Sequence, residues 1–144
     1  MFTNNGNMFV STAYMIEHRG VREVRRCENP EYFEARLVKK TGTVCVGLAP
    51  KNMPRTATIG WNPGTFGVES SGELFYDGSM DEKISNFIEG DVIGCSWERR
   101  RGRLSYFLNG EKIGISTILE SRPLVPAVTL WCPGDQIEVH IDGF

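Results

Sequence analysis

This sequence is short of most features that announce a chemistry. Its two histidines, His18 and His140, stand at opposite ends of the chain, and its four cysteines (Cys27, Cys45, Cys95 and Cys132) form no CxxC pair. Zinc requires thiolates and imidazoles close together, so the spacing implies no metal site. There is no GxSxG elbow, phosphate-binding loop or dinucleotide fingerprint. With no nucleophile, base or charge-stabilising group assembled, neither catalysis nor a cofactor is expected. Glu69, Glu73 and Asp77 are candidates for paired carboxylates, but on a solvated hairpin such residues serve solubility. No apolar run approaches the length that crosses a bilayer, and Met1 to Gly20 lacks the uninterrupted apolar stretch of a secretory signal. Repeats, low-complexity segments and sustained helical periodicity are missing too.

What remains is an ordinary globular composition, 40% hydrophobic and 24% charged, with 16 glycines and seven prolines that point to a turn-rich fold. A chain of 144 residues makes one domain, able to bury roughly two thirds of its unfolded surface without staples. Net charge is −2, too negative for wholesale capture of nucleic acid. The charge is uneven: residues 56–98 carry one basic and eight acidic side chains, whereas 1–55 carry nine basic and five acidic. Such a distribution belongs either to segments that interleave on the folded surface or to a polarised face that orients a charged partner. Cys45 and Cys95 lie within apolar runs, where a reduced cysteine acts as a small core hydrophobe, so free thiols and a cytoplasmic (also nuclear) location are expected.

Short alternating or apolar runs broken by Gly, Pro, Asn and Asp predict strands at Tyr32 to Val38, Val44 to Leu48, Leu74 to Tyr76, Val92 to Trp97, Arg103 to Leu108, Glu111 to Ile115, Leu124 to Leu130 and Gln136 to Ile141. Val44 to Leu48 is almost entirely apolar and reads as buried on both faces. Asn109-Gly110 between two of these runs is the strongest hairpin signal, because a type I′ turn needs positive φ at both central residues. Asp81 to Ile88 and Ser116 to Ser121 are candidates for one or two helical turns. The fold class is all-β, an antiparallel sandwich of two packed sheets. Val46, Leu48, Val92, Ile93, Leu104, Phe107, Val128 and Val139 are expected in its interior.

From Tyr32 onward the order of motifs resembles the SPRY domain. The resemblance rests on Tyr32-Phe33-Glu34, Val46-Gly47-Leu48-Ala49, Ile59-Gly60-Trp61, Gly72-Glu73-Leu74-Phe75, Gly90-Asp91-Val92-Ile93-Gly94-Cys95, Tyr106-Phe107-Leu108-Asn109-Gly110, Leu124-Val125-Pro126-Ala127-Val128 and Ile137-Glu138-Val139. These pieces follow one another over about 110 residues, and within the family they look most like the Ran-binding-protein-M type. Two places depart from that type: Ser70-Ser71-Gly72 replaces an acidic Asp-Gly, and His140-Ile141 stands where the family often has Asn-Phe. The resemblance implies a single domain over residues 1–144, with 1–10 as an extension, and a concanavalin-like sandwich.

The resemblance also implies a monomeric, non-catalytic module that binds a short peptide or loop of a partner protein, as an adaptor or substrate-recognition domain, with no nucleic acid or membrane partner. The ligand surface it implies is formed by loops at one end of the sandwich: Arg19 to Arg22, Met53 to Thr56 and Trp131 to Pro133. The candidate binding residues are Arg19, Arg22, Met53, Arg55, Thr56, Trp131, Cys132 and Pro133. The arginines suit carboxylates or carbonyls of an acidic or polar peptide, and Met53 and Trp131 an apolar floor. A carbohydrate-binding sandwich is the alternative, since such lectins also use exposed tryptophans. Trp61 and Trp97 are expected in the core, while Trp131 is either an exposed anchor or packed beneath its loop. Arg99-Arg100-Arg101 reads as a charged turn that guards an edge, or else as a contact for an acidic partner.

Overall fold

The computed structural model describes residues 2–3, 12–15, 31–50, 52–54, 58–118, 123–132 and 134–141. Their strands form two antiparallel sheets. In order across the first sheet are β1 (Phe2–Thr3), β12 (Gln136–Ile141), β3 (Glu31–Lys39), β8 (Val92–Glu98), β9 (Arg103–Leu108) and β10 (Glu111–Thr117). Across the second run β2 (Thr12–Met15), β11 (Leu124–Leu130), β4 (Val44–Pro50), β5 (Phe66–Glu69), β6 (Glu73–Tyr76) and β7 (Ser79–Lys83).

Period-two alternation decides which side chains meet between the sheets. From the second sheet Val44, Val46, Leu48, Val68, Leu74, Val128 and Leu130 point inward; from the first come Phe33, Leu37, Ile93, Cys95, Trp97, Leu104, Tyr106 and Ile137. The opposite face of β4 is buried as well. Cys45 and Ala49 join Ile59 and Ala127 in a smaller cluster on the outer side of the second sheet, with Met53 packed against it. All seven residues of β4 are consequently buried, as the apolar run predicts.

Val46, Leu48, Ile93, Leu104 and Val128 occupy the core as expected, whereas Val92, Phe107 and Val139 are only half-buried. The reason for the first two is parity. Ile93 and Tyr106 face inward, so their neighbours Val92 and Phe107 face out, where Phe107 meets the edge of Tyr32 at a centroid distance of 6.2 Å. Leu104→Ala and Val128→Ala should each cost about 2–4 kcal/mol, the transfer term plus a residual cavity. A urea midpoint unmoved by either substitution would take that residue out of the core.

The hairpin signal is realised: Asn109 and Gly110 have φ of 51° and 87°, and β9 pairs directly with β10. Asp77 and Gly78 repeat the pattern between β6 and β7, with φ of 52° and 90°. The helix expected over Asp81 to Ile88 does not form. Its first residues complete β7, and 84–88 form a non-helical strap in which the Ile84 and Phe87 amides donate to the carbonyls of Gly72 (2.6 Å) and Ser70 (3.0 Å). Phe87 then plugs the core, satisfying the same apolar residues that mimic a helical face. Ser116 and Thr117 likewise end β10 instead of opening a helix, and 119–122 lie outside the described residues.

Cys45 and Cys95 are buried free thiols and Cys132 is a half-buried one. Cys27 lies outside the described residues. Burial holds both core thiols well above the ordinary thiol range, where they are inert. Among the described residues no helix is long and apolar enough to cross a membrane, and no group of three His, Cys, Asp or Glu is placed to hold a metal.

Candidate binding site

The outer face of the second sheet is built from small residues. Ala127, Gly47 and Gly67 stand in one cross-strand row that ends on Phe75, and Thr129, Cys45 and Glu69 stand in the next. Low side chains leave room for residues 58–65 to lie across the sheet, and a dense set of hydrogen bonds pins them there. The Ile59 amide donates to Thr129 Oγ1 (3.0 Å), the Gly60 amide to Thr65 Oγ1 (2.7 Å), and the Gly78 amide to the Gly60 carbonyl (2.9 Å). Gly60 has φ of +97°, and a Cβ there would lie 2.8 Å from Phe75 Cβ, so glycine is required on both counts.

This turn delivers Trp61 to the surface. Trp97 lies in the core as expected, but Trp61 is 46% exposed, which corrects its expected place in the interior. Its ring stands 5.6 Å from Phe75 and 5.6 Å, edge-on, from Trp131. Its indole N–H donates to Glu69 Oε2 at 3.0 Å. Glu69 is only 9% exposed, so it is no solubilising carboxylate: it lies beneath Trp61 and fixes the ring. Met80, 57% exposed, is opposite Phe75 in register and continues the apolar strip towards the sheet edge.

Trp131 leaves the end of β11, its amide donating to the Thr43 carbonyl at 3.1 Å. The residue is half-buried, and its indole N–H is buried without a hydrogen-bond partner among the described residues. Met53 is anchored beyond the other end of β4, its amide donating to the Pro50 carbonyl at 3.1 Å. Met53 and Trp131 therefore flank opposite ends of β4, and what they share is the outer face of the sheet. Cys132 is half-buried against Gly42, where an added Cβ would collide with its sulfur. Arg19, Arg22, Arg55, Thr56 and Pro133 lie outside the described residues.

Trp61, expected in the core, and Glu69, expected to serve solubility, join Phe75 and Met80 as additions to the candidate site. Alternation around the inward-facing Leu74 would have put Phe75 outside, but only the path of residues 58–65 shows that Trp61 joins it. Elsewhere, Arg99, Arg100 and Arg101 form an exposed turn on the first sheet, Arg101 Nε lying 3.6 Å from Glu98 Oε2. His140 is half-buried, 3.3 Å from Glu138 Oε2.

The fold places the molecule in the class of antiparallel β-sandwich domains, and comparison with known proteins makes the class specific. The SPRY domain profile matches residues 31–143. The dual specificity protein kinase splA of Dictyostelium discoideum is 24% identical over 91% of this chain, which spans 6% of that protein. Ran-binding protein 9 of Mus musculus is 27% identical over 76% of the chain, which spans 17% of it. Among solved structures, a human SPRY domain superposes with a TM-score of 0.76 at 24% identity, covering 96% of this chain and 89% of that one. The SPRY domain of human HERC1 gives 0.77 at 17% identity, covering 95% and 84%. The chain belongs to the SPRY domain family, whose members are protein-interaction modules.

Proposed function

We propose that this domain binds a short peptide or loop of a partner protein over the outer face of its second sheet, as a non-catalytic adaptor or substrate-recognition module in the cytoplasm. The observation that carries the reading is the pairing of a 46%-exposed Trp61 with Trp131, held in place by the buried Glu69 carboxylate. Rigid aromatic area of this kind supplies contact at little cost in conformational entropy. In this reading Met53 and Cys132 flank the strip, and Arg19, Arg22, Arg55, Thr56 and Pro133 are further contacts for the peptide. Those arginines give the site its preference for an acidic or polar peptide.

The test begins with a peptide array and a glycan array probed in parallel. A peptide selected there should lose about 2 kcal/mol or more of binding to Trp131→Ala and to Trp61→Ala, with the thermal midpoint followed separately. Sugar binding in place of peptide binding makes the domain a lectin. Normal binding by both variants, together with loss of binding on charge reversal at Arg99–Arg101, moves the site to the first sheet.

A further inference from the structure

A second concave feature lies outside the aromatic strip and shares none of its residues. It is an open groove of about 620 Å³ between the β3–β4 turn, the β5–β6 turn and the 84–88 strap. Its walls are held by the fold. The buried Asp135 carboxylate accepts from the Thr41 amide (2.7 Å), the Thr41 hydroxyl (2.8 Å) and the Gly42 amide (3.0 Å). On the other side, the strap is tied by its two backbone bonds to Gly72 and Ser70, and Ser70 Oγ accepts from the Val44 amide at 3.2 Å.

The groove has an unusual charge for this chain. Lys83 is the single basic residue between positions 56 and 98, and none of the eight acids in that stretch lines the groove. Lys40 lines it too, and neither lysine forms an ion pair with a described carboxylate. Glu89, the acid nearest in sequence to the strap, is occupied by the Lys40 backbone amide at 2.9 Å. Ser71, Ser85 and Asn86 add exposed neutral donors, and Ile88, 61% exposed, offers an apolar contact at one side. Asp135 is taken up by Thr41 and Gly42 and Glu89 by the Lys40 amide, so two ammonium groups and several neutral donors are left to face the groove, a set that matches an oxyanion on a flexible chain.

We infer that this groove binds an anionic side chain of a polypeptide, a phosphoserine or phosphothreonine phosphate or a carboxylate, with Lys40 and Lys83 as its charge partners. The site is separate from the aromatic face, so either reading stands or falls without the other.

The experiment is a titration of the whole chain followed by amide NMR shifts, with three short peptides that differ at one position: phosphoserine, aspartate or serine, each followed by isoleucine. Saturable shifts at residues 40–43 and 83–88 are expected with the phosphoserine or the aspartate peptide and not with serine. The stronger of the two anions identifies the source. Lys40→Glu combined with Lys83→Glu should weaken binding about tenfold or more, the worth of a charge-assisted hydrogen bond. Lys83→Gln, at an exposed position, keeps the test decisive if the double variant folds poorly. Trp131→Ala should leave this titration unchanged. The inference is overturned if neither anion produces saturable shifts there, if the serine peptide binds equally, or if the shifts fall only at Arg99 to Arg103.

Discussion

Gly47→Ala is expected to lower stability by about 3 kcal/mol or more, a large fraction of the roughly 5–15 kcal/mol that keeps a domain folded. The cause is steric and local. A Cβ at this position would lie 1.9 Å from the Phe66 carbonyl oxygen and 2.5 Å from Gly67 Cα, both backbone atoms of the neighbouring strand. No rotamer change relieves such a clash, so β4 and β5 would have to separate, and with them both hydrophobic clusters. Gly110→Ala is the control. Nothing stands within 4 Å of its added methyl, and only the φ of +87° opposes it, which should cost about 1 kcal/mol. Urea denaturation followed by circular dichroism measures both. Equal costs for the two substitutions would show that the strands are not so closely apposed at Gly47.

Asp135→Ala should cost about 3 kcal/mol, and Asp135→Asn somewhat less, about 2 kcal/mol. Asp135 is fully buried and takes three hydrogen bonds from Thr41 and Gly42. Alanine leaves those donors without an acceptor. Asparagine keeps one oxygen for Thr41 but turns an NH₂ towards the Gly42 amide, donor against donor. The loss should reach beyond stability, because the turn it anchors forms one wall of the lysine groove and adjoins the Thr43 carbonyl that receives Trp131. Amide exchange at residues 41–43 should accelerate in both variants even where the remainder stays protected. Exchange unchanged at those amides would mean that the turn is held by something other than Asp135.

Much of the sandwich can be read from residue order. Val44 to Leu48 announces a strand buried on both sides, Asn109-Gly110 announces its hairpin, and Ile137 with Val139 announces the inner face of β12. The misreadings share a cause: local pattern is ambiguous where distant backbone supplies the partner. Ile84, Phe87 and Ile88 have helical spacing, but Gly72 and Ser70 offer carbonyls that hold them as a strap. Val92 and Phe107 are as apolar as their core neighbours, and only the parity of a pleated strand turns them outward.

The site divides along the same line. The sequence alone determined that a large aromatic, Trp131, ends a buried strand beside a loop. It also determined that residues 56–98 are acidic but for Lys83. Tertiary structure decided the rest. Small residues at Gly47, Gly67 and Ala127 let 58–65 cross the outer face, which carries Trp61 out of its expected core position and onto Trp131. Glu69, 62 positions before Trp131, becomes a buried acceptor because Trp61 covers it. Lys40 and Lys83 line one groove because the Asp135 clamp and the Gly72 and Ser70 carbonyls bring their segments together. Strand parity and turn residues act over a few positions and are visible in a linear chain; juxtaposition across sheets depends on which backbones can approach, and only the folded molecule specifies that.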